Sequence, residues 1–193
     1  MEYADHTIRE FLSSVASEHV APAGGTVAAV GGAFGTALCE MACIHTIETD
    51  GYADVVPELD GIETDLRRQR SHLLTLAEAD ASVVADSFAS TADVPGETGM
   101  KRSVGVPLTI AEACSTVLEL GATVTERCAR SVVADARVGL VLVHAAIRAA
   151  VLVVRTNLER VSDAEFARRI DARLSAVTAS SEAAFQRVDL HHG

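Results

Sequence analysis

From Ala21 to Cys39 the chain carries no charged side chain, and in the stretch APAGGTVAAVGGAFGTALCEM five glycines and one proline stand among alanines and valines. Glycine and proline weaken helices more than any other residues, yet a charge-free run of this length belongs inside a protein. A segment that is both weak and buried must be held by its surroundings. Small residues at Gly25, Ala28, Ala29, Gly32, Ala33 and Gly35 make a thin helix that other backbones can approach closely. The pattern predicts a helix from the Pro22 turn to about Ile47, at the centre of a bundle or at a subunit interface.

The rest of the chain reads as helix too. Apolar residues make up 49%, but they are chiefly Ala, Val and Leu, with no Trp and only four Pro, which favours packed helices over a sheet sandwich. Asp5 is placed to cap a first helix whose apolar stripe is Ile8, Phe11, Leu12 and Val15. Pro57 suits the first turn of a long third helix, in which Leu59, Leu66 and Leu73 recur every seven residues. The next position on that seam is Asp80, after which Val83, Val84 and Phe88 resume the stripe. Pro95, Gly96 and Gly99 mark a loop, Pro107 is expected to open a fourth helix, and Ser131 to about Leu158 forms a fifth. Ser162 and Glu165 match a capping box for a last helix running towards His191. With 193 residues the expectation is one domain, 1–193: an all-α, orthogonal or antiparallel bundle of about six helices.

A formal charge of -11, with Lys101 the single lysine, argues against a nucleic-acid groove or an anionic membrane surface. Two stretches have the length of a membrane span, but the first is mostly Ala and Gly, and Val138 to Val154 contains His144 and Arg148. Both read better as buried helices, so no membrane partner is expected. Four cysteines without a CxxC, and no leader pattern before Asp5, point to a reduced, cytoplasmic setting. Cys39 and Cys43 stand one turn apart near His45, but tetrahedral zinc wants a fourth ligand that the spacing does not supply, so no metal is expected.

Polar residues on apolar faces supply the functional candidates. Asp80 on a leucine seam must be hydrogen-bonded, protonated or facing a cavity: a structural carboxylate, or a general acid or base with a raised pKa. Asp135 shares a face with Val132, Gly139 and Val143, the inward side of an apolar helix, and raises the same two options. Glu40 and Glu112 lie in apolar neighbourhoods and either orient a substrate or make core or solvated contacts. Arg155 and Asn157 could hold a carboxylate or cap a helix C-terminus. Pro22, Gly24 and Gly25 leave the first amides of a helix uncovered, a site for an anion or carbonyl oxygen, with Thr26 beside them. His45 and His144 read as hydrogen-bonded core residues.

PAGGTVAAVGGAFGTALCEM resembles the glycine-rich signature of the cyclodeaminase/cyclohydrolase family, and the likeness continues through LLTLAEADASVVADSF, VPLTIAEAC and VADARVGLVLVHAAIRAAVLVVRTNLERVSDAEF. The resemblance covers nearly the whole chain. It implies an all-α fold that dimerises and acts, without metal or permanently bound cofactor, on N5/N10-substituted tetrahydrofolate, as a methenyltetrahydrofolate cyclohydrolase or a formiminotetrahydrofolate cyclodeaminase. On the same resemblance Asp80 and Asp135 match the family's acidic positions and become the expected catalytic pair. Pro22, Gly24, Gly25, Thr26, Glu40, Tyr52, Glu112, Arg155 and Asn157 are the expected substrate contacts. Where family members often carry a basic pair, this chain has HTIETDGY, which keeps Tyr52 and puts acid in place of the basic residues. The alternative is a diverged helical dimer that binds folate or a partner without turnover.

Overall fold

The computed structural model describes residues 3–89 and 97–188. Among these there are six α-helices and no strand: α1 (Ile8–Val15), α2 (Gly24–Ile47), α3 (Val56–Ala89), α4 (Glu97–Arg127), α5 (Val133–Leu158) and α6 (Ala164–Gln186), preceded by a 3-10 turn at Tyr3–Asp5. The expected all-α bundle of about six helices is what the chain forms.

Four long helices make the core. α2 runs antiparallel to α3, since Gly25 meets Asp80, Gly32 meets Leu73 and Glu40 meets Arg70. It is also antiparallel to α5, where Gly24 faces Val153 and Gly35 faces Gly139. It lies parallel to α4, as Gly32 approaches Cys114 and the Thr46 hydroxyl accepts from the Ala129 amide at 2.9 Å. α6 then follows α4 in register outside this square: Glu112 with Arg173, Glu119 with Ser180 and Glu126 with Arg187 are each 61 residues apart.

The thin helix is where the sequence placed it. Ala28, Ala29, Gly32, Ala33 and Gly35 are all buried. A Cβ on Gly35 would lie 2.4 Å from the Gly139 carbonyl oxygen, and one on Gly139 would lie 2.6 Å from the Gly35 carbonyl, so the α2 and α5 backbones touch and any side chain would force them apart. The leucine seam of α3 is likewise real, with Leu59, Leu66 and Leu73 fully buried. Phe88, expected to continue it, is 70% exposed, because α3 has run past the end of the bundle by then.

Four boundaries differ from expectation, one of them at α6, where Asp163 and not Ser162 is the N-cap, its Oδ1 accepting from the Glu165 and Phe166 amides. Thr7, not Asp5, caps α1 through a capping box with Glu10. Much of the proposed loop from Ser90 to Met100 lies outside the described residues, but Glu97 to Met100 is already the first turn of α4. Pro107 therefore sits inside α4 rather than at its start. A proline there cannot donate to the carbonyl four residues back, which is Ser103. Asn157 of α5 supplies the missing donor, its Nδ2 reaching the Ser103 oxygen at 2.7 Å. The break is thereby tolerated, and α5 is tied to α4.

Candidate active site at the start of the thin helix

The first turn of α2 has no capping side chain of its own, because Ala23 occupies the N-cap. Asp80, arriving from antiparallel α3, does that work instead. Its Oδ2 accepts a hydrogen bond from the Thr26 hydroxyl at 2.8 Å, and the Thr26 amide also stabilises the carboxylate. This contact requires glycine at position 25: a Cβ there would stand 2.3 Å from Asp80 Oδ1. The glycine that weakens the helix is the one that admits the carboxylate. Sequence alone set these two residues 55 positions apart with no sign that they meet.

Asp80 is 4% exposed and Thr26 fully buried. Burial pushes the Asp80 carboxyl above the usual carboxylate range, and the hydroxyl and amide of Thr26 offset only part of that. Among the described residues no basic side chain forms an ion pair with it. A carboxyl in this state keeps a proton to higher pH than a surface aspartate and sits where the exposed end of a helix concentrates positive potential. That combination suits proton transfer. It also serves as a helix cap, so geometry leaves both roles with the same group.

On the opposite side of the same turn, a hollow of about 530 Å³ runs between α2 and α5. Pro22, Gly24, Val27 and Gly31 line one wall and Leu142, Ala145 and Ala149 the other, with Val15 of α1 at its edge. Its size is in the range of small-molecule pockets and its walls are apolar. Asp80 does not line it; the first turn of α2 stands between.

The remaining expected contacts separate by position. Arg155 and Asn157 lie in the last turn of α5, just beyond the Val153 that faces Gly24, and so belong to this end of the bundle. Asn157 is committed to Ser103, as described above, while Arg155 is exposed in the groove between α5 and α6. Glu40 is fourteen residues further along α2 than Thr26, about 21 Å at the helical rise. It is a buried ion-pair acceptor, with Arg70 Nε at 2.7 Å and Arg67 Nε at 3.2 Å. Burial alone would raise its pKa, but the two arginines hold it below the usual range. The core-contact option raised for Glu40 is the observed one. Tyr52 packs against the main core beyond the far end of α2. Glu112 is bound by Arg173 of α6 through two hydrogen bonds of 2.9 and 2.7 Å.

Asp135 requires a correction. The inward face of α5 is formed by Ala136, Gly139, Leu140 and Val143, and Asp135, in the first turn, is exposed. It also lies towards the other end of the bundle, because the next residue, Ala136, is the one whose carbonyl meets Cys39. The helical period used to group it with Val132 and Gly139 was one position out of phase. α5 begins at Val133, so Val132 lies outside the helix and its burial says nothing about the face that Asp135 shares.

The thiols and histidines take structural places. Cys39, Cys43 and Cys114 are buried, and burial pushes each thiol up to about 12. His45 is exposed, away from Cys39 and Cys43. Among the described residues no group of three or more His, Cys, Asp or Glu side chains is placed to hold a metal ion. His144 stacks on Phe185 at a ring separation of 4.1 Å, with Nε2 3.1 Å from Glu182.

Comparison with known proteins agrees with this architecture. The chain is 28% identical over 200 residues to the methenyltetrahydrofolate cyclohydrolase of Methylorubrum extorquens, covering 95% of this chain and 94% of that protein. Its fold superposes on the crystal structure of formiminotetrahydrofolate cyclodeaminase from Thermotoga maritima with a TM-score of 0.91, at 26% identity, across 96% of this chain and 94% of that one. The formiminotransferase-cyclodeaminase family profile matches residues 7–176, which includes the glycine turn, Asp80 and all but the last part of α6. The chain belongs to the formiminotransferase-cyclodeaminase family, whose relatives here are a cyclohydrolase and a cyclodeaminase of folate derivatives.

Proposed function

We propose that the protein hydrolyses 5,10-methenyltetrahydrofolate to 10-formyltetrahydrofolate, or closes 5-formiminotetrahydrofolate with loss of ammonia, using Asp80 as the proton-transferring group. The observation that carries this is the buried Asp80 carboxyl on Thr26, raised in pKa, behind a glycine turn whose other side faces a ligand-sized hollow. The cyclohydrolase reaction is favoured by the likeness to a cyclohydrolase over nearly all of both chains. In that reaction water adds to the methenyl carbon and its proton passes to the Asp80 carboxylate. The carbon–N5 bond then breaks as that proton is delivered to N5 and the hydroxyl proton on the same carbon is released to water, leaving the formyl group on N10. A group titrating nearer neutrality than an ordinary aspartate is suited to both transfers. The chemistry uses the chain's own carboxyl.

We further propose that the working unit is a cytoplasmic homodimer. Val27 (40% exposed) lines the apolar hollow, and Phe34 (50%) on α2 with Val138 (54%) and Val141 (44%) on α5 add further exposed apolar surface on the same two helices. A continuous apolar face of this kind marks an interaction surface. α2, α4 and α5 are long and apolar enough to cross a membrane by length and composition. A second copy is the better cover for the face, because Arg148 interrupts the outer side of α5 and α4 is enclosed by its neighbours.

The second reading is favoured by the tight seal of Asp80 on Thr26. A carboxylate kept only as the cap of α2 would leave a protein that binds folate without turnover. Asp80→Asn separates the two, because an amide oxygen still accepts from Thr26 but cannot carry the proton. The expected outcome is loss of methenyltetrahydrofolate turnover by about 100-fold or more, the scale of general acid–base catalysis, with the fold retained. Since burial raises the folded pKa, wild type should lose stability relative to the Asn variant as pH rises from about 4 through that pKa, then level off. Equal turnover in the two proteins would remove Asp80 from the chemistry and leave the cap.

A further inference from the structure

A second hollow, of about 620 Å³, lies on the side of α5 away from the glycine turn, in the groove between α5 and α6. Arg148 and Arg155 stand along its α5 side with Val151 and Leu152 between them, and Ser181 and Glu182 face them from α6. In a chain of net charge -11, Arg67, Arg68, Arg70, Lys101, Arg102, Arg127, Arg173 and Arg187 make ion pairs. Arg148 and Arg155 make none among the described residues. What sets these two exposed guanidinium groups apart from the other arginines without an ion pair is that both edge the same hollow, where they can meet an anionic partner from outside the fold.

The spacing selects among anions. Seven residues place the two side chains on one face of α5, about 10.5 Å apart along the axis, with apolar surface between. A linear anion with a carboxylate at each end matches that spacing better than a single phosphate does, and the apolar Val151 and Leu152 between the arginines suit an uncharged linker. We infer that the α5–α6 hollow binds an elongated dicarboxylate, one carboxylate to each arginine, its uncharged linker lying over Val151 and Leu152. A guanidinium offers a planar fork matched to a carboxylate. Two sources share this chemistry: a γ-linked glutamyl chain, such as a folate can carry, or a free dicarboxylic acid. The first of these rests on the folate reading above. The site itself does not.

Isothermal titration of the full chain at low ionic strength with tri-γ-glutamate, glutarate and inorganic phosphate tests the assignment, alongside Arg148→Ala and Arg155→Ala. Tri-γ-glutamate or glutarate should bind at least about tenfold more tightly than phosphate. Each substitution should weaken that binding by about tenfold, the scale of one hydrogen-bonded charge pair, and added salt should weaken it further. Tighter binding of the glutamyl chain identifies the tail of a larger ligand, and tighter binding of glutarate identifies a free acid. The inference is overturned if both folded variants, checked by circular dichroism, bind like wild type, if phosphate binds as well as the dicarboxylates, or if neither dicarboxylate binds. Because the titration reads binding without turnover, loss of the enzymatic reading would not by itself move this result.

Discussion

Gly25→Ala is the most direct test of how the site is built. The new methyl carbon would lie 2.3 Å from Asp80 Oδ1, 2.6 Å from Cγ and 2.7 Å from Oδ2, against an ordinary contact distance that begins at 3.4 Å. The carboxylate must retreat by about 1 Å, which takes the 2.8 Å bond to the Thr26 hydroxyl out of hydrogen-bonding range. Losing the hydroxyl and amide bonds to a charged acceptor costs about 2–3 kcal/mol together, overpacking a filled site adds about 1–2 kcal/mol, and alanine returns about 1 kcal/mol of helix propensity. The net expectation is a loss of about 2–4 kcal/mol, or about 4–16 °C in Tm for a domain of this size. Gly31→Ala is the control within the same helix, since nothing lies within 4 Å of its Cβ position. That change should stabilise by about 0.5–1 kcal/mol. In an Asp80→Ala background, Gly25→Ala should lose its penalty, giving a coupling of at least about 2 kcal/mol. Denaturant unfolding followed by far-UV circular dichroism measures the wild type and all four variants, Asp80→Ala included. If Gly25→Ala behaves like Gly31→Ala, the contact between the glycine turn and Asp80 is not what organises this end of the bundle.

Two further outcomes are expected. Asn157→Leu should cost about 1–3 kcal/mol by leaving the Ser103 carbonyl without its donor, and adding Pro107→Ala should recover most of that by restoring the backbone amide; an unrecovered double variant would show that the bond does not compensate the proline. Phe34→Glu on the exposed α2 face should convert a dimer to monomer in sedimentation velocity, and an unchanged sedimentation coefficient would place any dimer interface elsewhere.

How much of this was legible beforehand depended on whether the decisive relation lay within one helix or between two. The thin α2 and the leucine seam of α3 could be read directly, since small-residue spacing and a seven-residue repeat are properties of a single helix. Asp80 stood out for the same reason, as a charge at a seam position. Asp135 was misread because its assignment required the helix phase to be known through a boundary, and one residue of error turns a side chain by about 100°. Asn157 and Pro107 were each noticed, one as a ligand contact and one as a helix start, but their complementarity needs α4 and α5 side by side. Arg148 entered only as an argument against a membrane span. Its spacing from Arg155 was visible, though not the hollow beside it.

By itself, then, the sequence determined that the chain is helical, that one helix is slim enough to be enclosed, and that an acid lies on an apolar seam, because periodicity and side-chain volume are local quantities. Only the tertiary structure decided that this acid caps the slim helix through Gly25 and Thr26, that Glu40 is neutralised about 21 Å away, and that Asp135 faces outward. Those outcomes depend on the register between antiparallel helices, which is set by the summed fit of many side chains and is carried by no single stretch of residues.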